Sequence, residues 1–189
     1  METRVKRFAA LLCAVLTMYS IFPCQARTVS TSAASAILMD VDSGRVLYAQ
    51  NENSKMLIAS TTKIMTALVA LENGDLNSAV KVTAEAANTE GSSMYLKAGE
   101  KLTLETLLYG LMLCSGNDAA VAVAGSTDKF VKLMNQKAKE LGMKHTSFAN
   151  PNGLDDDRHY STARDMAVLA CAAMNNETFA RIVSTRTVT

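Results

Sequence analysis

The 189-residue chain is 49% hydrophobic and 20% charged, which is enough apolar material for one domain with a core and is not a disordered composition. Its formal net charge of +1, with no Lys/Arg cluster beyond the N-terminus, gives no electrostatic basis for a nucleic-acid partner.

The first segment reads as an export signal. Arg4, Lys6 and Arg7 form a basic n-region, Phe8 to Phe22 is largely apolar, and Cys24-Gln25-Ala26 offers a small-x-small site that sets cleavage after Ala26. Thr17, Tyr19, Ser20 and Pro23 make the apolar run short for an uncleaved anchor. Ile21-Phe22-Pro23 is a poor lead-in to a lipidated Cys24. Cys13 and Cys24 leave with such a signal, while Cys114 and Cys171 remain without a C-x-x-C spacing. Export permits a disulfide between them, but two buried thiols on apolar helix faces is the preferred reading.

Next, Ala36-Ile37-Leu38-Met39-Asp40-Val41 and Arg45-Val46-Leu47-Tyr48 flank Asp42-Ser43-Gly44, the pattern of a β-hairpin. Asp40 and Asp42 suit its turn better than they suit catalysis. A polar loop, Asn51 to Lys55, leads into a predicted helix from Ser60 to Asn73. Ile64, Ala67, Leu68 and Leu71 form its apolar stripe, and Gly74 is placed to stop it.

At the head of that helix Ser60 and Lys63 stand three residues apart, on one face. A serine hydroxyl needs a neighbour to take its proton, and a lysine can do so near neutral pH only if its pKa falls by roughly three units. Burial or nearby cations can supply that shift. Ser60 as an ordinary helix cap is the competing reading, and the spacing alone does not decide between them.

Val80-Lys81-Val82 reads as a short strand and Ala84 to Asn88 as a short helix, with Gly91-Ser92-Ser93 breaking the chain after it. Leu104, Leu107, Leu108, Leu111 and Met112 form a helical stripe that starts at Thr103 as N-cap, with Glu105 in the first turn. The helix ends at Cys114, and Ser115-Gly116-Asn117 follows as a tight loop before another helical segment. Gly116 there permits a positive φ and close approach of backbone to a ligand. Ser115 could relay a proton and Asn117 could orient a substrate amide. Equally, Ser-Gly-Asn-Asp is a common turn with Asn117 or Asp118 as N-cap.

Asp128 to Leu141 reads as a helix with Phe130, Leu133, Met134 and Leu141 on one side and Gly142 as its stop. Pro151-Asn152-Gly153 is a turn, and Asp155-Asp156-Asp157 reads as a solvated charge run rather than a metal site. Ser161 is placed to cap a helix carrying Met166, Leu169 and Ala173, with Asn175-Asn176 at its end. Neither His145 nor His159 has a partner visible in sequence, and neither is assigned a role.

Taken together, Ser60-x-x-Lys63 followed by Ser115-Gly116-Asn117 resembles the active-site set of the penicillin-binding serine D-Ala-D-Ala carboxypeptidases. Gly91-Ser92-Ser93-Met94, Lys139-Glu140-Leu141-Gly142-Met143, Asn152-Gly153-Leu154 and Ser161-Thr162-Ala163-Arg164-Asp165-Met166 resemble that family's blocks too, and the likeness runs from about Ala34 to the end. The resemblance implies an α/β (α+β) fold of the β-lactamase/transpeptidase type, an antiparallel sheet with a helical cluster. It also implies a signal peptide over 1–26 and the N-terminal part of a catalytic domain over 27–189. The implied chemistry is acyl transfer from a peptidoglycan stem peptide ending in D-Ala-D-Ala, in the cell envelope. Ser60 is then the nucleophile, Lys63 the base, Ser115 a proton relay and Asn117 a substrate contact. By the same resemblance β-lactams acylate Ser60 and no metal or organic cofactor is required, while membrane attachment through a later C-terminal segment is left open by the sequence.

Two departures from the family pattern stand out. Near Val123-Ala124-Gly125-Ser126 the chain is about four residues short, roughly one helical turn. The family's Lys-Thr-Gly strand, which holds the substrate carboxylate and completes the oxyanion hole, does not occur before Thr189. The expectation from sequence is therefore a fragment of the enzyme, inactive or impaired by itself, with an unpaired sheet edge and uncovered apolar helix faces. The alternatives are a non-catalytic remnant or cell-wall binding module, and a serine β-lactamase. Against the last, Gly116 stands where the class A enzymes have Asp.

Overall fold

A short hairpin comes first: β1 (Ala36–Met39) pairs antiparallel with β2 (Val46–Gln50), with a bulge between Leu38 and Met39. Asp40 makes the turn, accepting hydrogen bonds from the Ser43 amide and hydroxyl, as the sequence suggested. The computed structural model describes residues 30–188, so the signal segment read from residues 1–26 lies outside the described residues.

A 3-10 turn over Ala59–Thr62 then runs into α1 (Lys63–Asn73). The predicted single helix from Ser60 therefore begins with a tighter turn. Its stop also works differently from the expectation. Gly74 is extended, with φ −122°, and is small because a Cβ there would stand 2.6 Å from Leu104 Cδ2.

After α1 come β3 (Ala79–Lys81), α2 (Ala84–Ala87) and β4 (Lys101–Thr103), then α3 (Leu104–Leu113), α4 (Asn117–Ala124) and α5 (Thr127–Glu140). The strands β3 and β4 form a second antiparallel pair, separate from β1–β2, so the described residues carry two small sheets rather than one. The last elements are α6 (Ala163–Met174) and α7 (Glu177–Ser184). Thr162, not Ser161, caps α6, and Asn176 starts α7 by accepting the Thr178 and Phe179 amides, so the Asn pair is a junction between helices.

The organising element is α1, which packs against α3, α4, α5, α6 and α7. That explains why burial spreads beyond the predicted stripe: Met65, Thr66, Ala67, Leu68, Val69 and Ala70 are all buried, while Ile64 and Leu71 are only partly covered. Leu107, Leu108 and Leu111 of α3 and Phe130 and Met134 of α5 complete the core, whereas Leu133 lies outside it, 39% exposed. Cys114 is exposed and Cys171 half-buried, both free, which corrects the expectation of two buried thiols. Cys114 lies beyond the α3 stripe as its C-cap, and Cys171 falls between the core positions Leu169 and Ala173.

On the hairpin, Leu38 and Leu47 are about half exposed, at 56% and 51%. No helix among the described residues is long and apolar enough to cross a membrane.

Candidate active site

The 3-10 turn leaves Ser60 and Thr61 exposed and buries its last residue, Thr62, with Lys63 buried directly after it. Lys63 lies at the start of the central helix and is 1% exposed, yet each of its three ammonium hydrogens has an acceptor. Nζ lies 3.0 Å from Ser60 Oγ, 2.7 Å from Asn117 Oδ1 and 2.8 Å from the Asn152 carbonyl oxygen. All three partners are neutral, and among the described residues no carboxylate pairs with this lysine. Burial without a counter-charge disfavours the ammonium, and the Lys63 pKa falls from 10.5 to about 8. Ser60 is not a helix cap: the turn starts after Ile58, and the serine hydroxyl meets Lys63.

Asn117 is the first residue of α4 rather than part of a loop, and Gly116 precedes it with φ −61°. The positive φ expected of Gly116 belongs instead to Ser115, at 54°. Gly116 is small for packing, since a Cβ would stand 2.8 Å from Asp118 Oδ1 and 3.2 Å from Ala119 Cβ. The Asn117 amide is oriented at both ends: Oδ1 accepts from Lys63, and Nδ2 donates to the Glu90 carbonyl at 2.7 Å. Ser115 is half-buried, and its hydroxyl makes no hydrogen bond among the described residues. The structure thus brings Ser60, Lys63 and Asn117 into one hydrogen-bonded set, of which Ser115 is not a member.

Ser60 and Asn117 edge a cleft of about 420 Å³ that is also lined by Gly91, Ser92, Asn152 and Gly153 among others. Gly91 and Ser92 form one wall, and the segment that continues from them, residues 93–96, is fastened by Asp118, which is fully buried. Its carboxylate accepts from Ser93 Oγ at 2.7 Å, from the amides of Met94 and Leu96 at 3.0 and 3.1 Å, and from Ala119. Burial alone pushes the Asp118 pKa up, but these hydrogen bonds outweigh it and the net shift is downward. The opposite wall is the turn at Pro151-Asn152-Gly153. Gly153 has φ 89°, and a Cβ there would stand 1.9 Å from the Ala59 carbonyl oxygen. Thr66 Oγ1 donates to the Pro151 carbonyl at 2.6 Å and ties this turn to α1.

Sequence reasoning missed Asn152, Asp118 and His159. Asn152 acts through its backbone carbonyl, which any residue could provide. The signal for Asp118 was an acidic residue directly after Ser115-Gly116-Asn117. The Asp155–Asp157 run holds no metal-ligand cluster among the described residues, and Asp156 pairs with Arg158 at 2.8 Å. A larger cavity of about 620 Å³, lined by Met94, Tyr109, Leu113 and Cys114 among others, lacks a paired nucleophile and base.

Comparison with known proteins adds the ancestry. Residues 23–187 match the peptidase S11 family, described as D-alanyl-D-alanine carboxypeptidase. The chain is 44% identical over 162 residues to the D-alanyl-D-alanine carboxypeptidase DacF of Bacillus subtilis, covering 81% of this chain and 42% of that protein. It is 38% identical over 184 residues to a D-alanyl-D-alanine carboxypeptidase of Streptomyces sp. strain K15, covering 88% of this chain and 63% of that one. The crystal structure of a D-alanyl-D-alanine carboxypeptidase from Mycobacterium tuberculosis superposes with a TM-score of 0.82 at 38% identity, over 87% of this chain and 65% of that one. The chain therefore spans between two-fifths and two-thirds of the length of these relatives. With its α+β fold, its central helix and its matched residues, the chain belongs to the peptidase S11 family of D-alanyl-D-alanine carboxypeptidases.

Proposed function

We propose that the protein is a serine-type D-alanyl-D-alanine carboxypeptidase that acts on peptidoglycan stem peptides in the cell envelope, after export directed by residues 1–26. The observation that carries this is the 3.0 Å contact between an exposed Ser60 hydroxyl and a buried lysine whose pKa is brought down to about 8. A neutral Lys63 amine accepts the Ser60 proton as Oγ attacks the carbonyl between the two D-alanines. The C–N bond breaks, D-alanine leaves with a proton, and an ester remains on Ser60. Water then hydrolyses that ester. No step calls for a metal or an organic cofactor.

Asn117 has a second role in this scheme. One of its amide hydrogens goes to Glu90, and the other is available to a substrate carbonyl in the cleft. Ser115 carries protons between Lys63 and the leaving amine. Support for this comes from its left-handed backbone, an outlier for a serine of the kind that gathers at functional sites. β-Lactams acylate Ser60 as substrate mimics. Incubation with a labelled penicillin, with and without Ser60→Ala, tests the scheme: label lost in the variant supports it, and label retained rejects Ser60 as nucleophile.

A further inference from the structure

Between nucleophile and base lies Thr62, whose hydroxyl meets His159 Nε2 at 2.7 Å although 97 residues separate the two in sequence. The other ring nitrogen, Nδ1, receives the Ala149 amide hydrogen at 3.1 Å. A backbone N–H can only donate, so Nδ1 carries no proton. The imidazole hydrogen is therefore on Nε2 and is donated to Thr62 Oγ1. The ring is 1% exposed and sits edge-on to Phe148 with centroids 5.7 Å apart.

One end of the imidazole thus holds the start of the 149–154 loop, and the other holds the turn between Ser60 and Lys63. The far part of the same loop delivers the Asn152 carbonyl to Lys63 and the Pro151 carbonyl to Thr66. We propose that His159 is a positioning residue: by joining Ala149 to Thr62, it fixes the loop so that the Asn152 carbonyl caps Lys63 and water is kept from the amine. His159 touches neither substrate nor reacting atoms. The bond from Ala149 requires the neutral ring, because a protonated Nδ1 has no lone pair left to accept it. Burial lowers its pKa below 6.5 and holds it neutral, against the pull of Asp156 and Asp155 nearby. The consequence for rate rests on Lys63 being the base, but the geometry is tested on Lys63 and His159 directly.

The experiment is a pH titration of the full chain, labelled with ¹⁵N in lysine and histidine, by NMR. His159 is expected as the Nε2–H tautomer, and Lys63 is expected to titrate near 8. In His159→Leu the loop is released and water reaches the amine, so the Lys63 midpoint rises by at least about one unit, a tenfold loss of free amine at pH 7. Thr62→Val, of similar shape but without the acceptor, moves it the same way. His159→Gln, which keeps a donor and an acceptor, restores most of the shift. An Nδ1–H tautomer in the unmodified protein overturns the proposal, as does an unmoved Lys63 midpoint in either variant, even if its Tm falls. If neither variant folds, exchange of the Ala149 amide in the unmodified protein decides. Protection lost below the His159 midpoint supports the tie, and protection unchanged across it rejects the tie. A Lys63 midpoint near 10.5 in the unmodified protein would reject the base while leaving the tautomer and the Ala149 bond separately measurable.

Discussion

Lys63 Nζ stands 2.7 Å from Asn117 Oδ1, so the buried lysine is held by an amide where a carboxylate would have been the ordinary partner. Asn117→Asp makes that partner an anion of nearly the same shape. An opposite charge at this range raises a lysine pKa by about one to three units. Acylation at neutral pH should fall by about tenfold or more and recover at higher pH, as checked by labelling rates between pH 7 and 10.

With Lys63 as the proposed proton acceptor, its depressed pKa is expected to set the pH dependence of acylation in the unmodified protein. With a midpoint of about 8, the free amine fraction and the labelling rate rise about tenfold from pH 7 to pH 9. A flat profile across this window would count against Lys63 as the proton acceptor.

The same shift makes a prediction about stability. A lysine whose folded pKa lies below its unfolded value binds fewer protons when folded, so stability rises with pH between about 8 and 10.5. The gain from this group is about 3 kcal/mol across the window. Urea midpoints measured from pH 7 to 10.5, compared with Lys63→Met, should show this rise in the lysine protein and lose it in the variant.

Gly153→Ala introduces a Cβ at 1.9 Å from the Ala59 carbonyl in a left-handed backbone. The turn must move away from the Ser60 segment, at a cost of about 2–4 kcal/mol. A lower Tm together with slower acylation is expected. A loss of stability with an unchanged labelling rate would show that the turn does not position the pair.

Asp118→Asn replaces a buried carboxylate that accepts from four donors by an amide that must itself donate. The expected loss is about 2–4 kcal/mol, with faster exchange of the Met94 and Leu96 amides. Because the Asp118 pKa is lowered on folding, its contribution is present above the ordinary carboxylate range and is lost as pH falls through the folded value. The variant should therefore differ least from the unmodified protein in acid.

The parts of this site that could be read in sequence were those carried by side-chain chemistry at short range. Ser60 and Lys63 share a helical face, and the α3 stripe with its Thr103 cap follows from leucine spacing and turn chemistry. Less visible were contacts between distant segments and contacts made by backbone. The Asn152 carbonyl has no side-chain signature, and the Thr62–His159 bond joins the first third of the chain to the last. Gly116 and Gly74 illustrate a further limit: each was read as a conformational device, yet each is small because a neighbour packs against it. The continuous burial of α1 from Met65 to Ala70 was hidden too, since Thr66 and Lys63 break its apolar pattern while finding partners inside.

The central claim is that Ser60 is a nucleophile activated by Lys63. Its most direct test is peptide mapping by mass spectrometry of the 189-residue chain after prolonged incubation with penicillin at pH 8.5. A single adduct on the peptide bearing Ser60, absent in Ser60→Ala and strongly reduced in Lys63→Met, is the predicted result. An adduct on another residue, or full labelling of Lys63→Met, would contradict it.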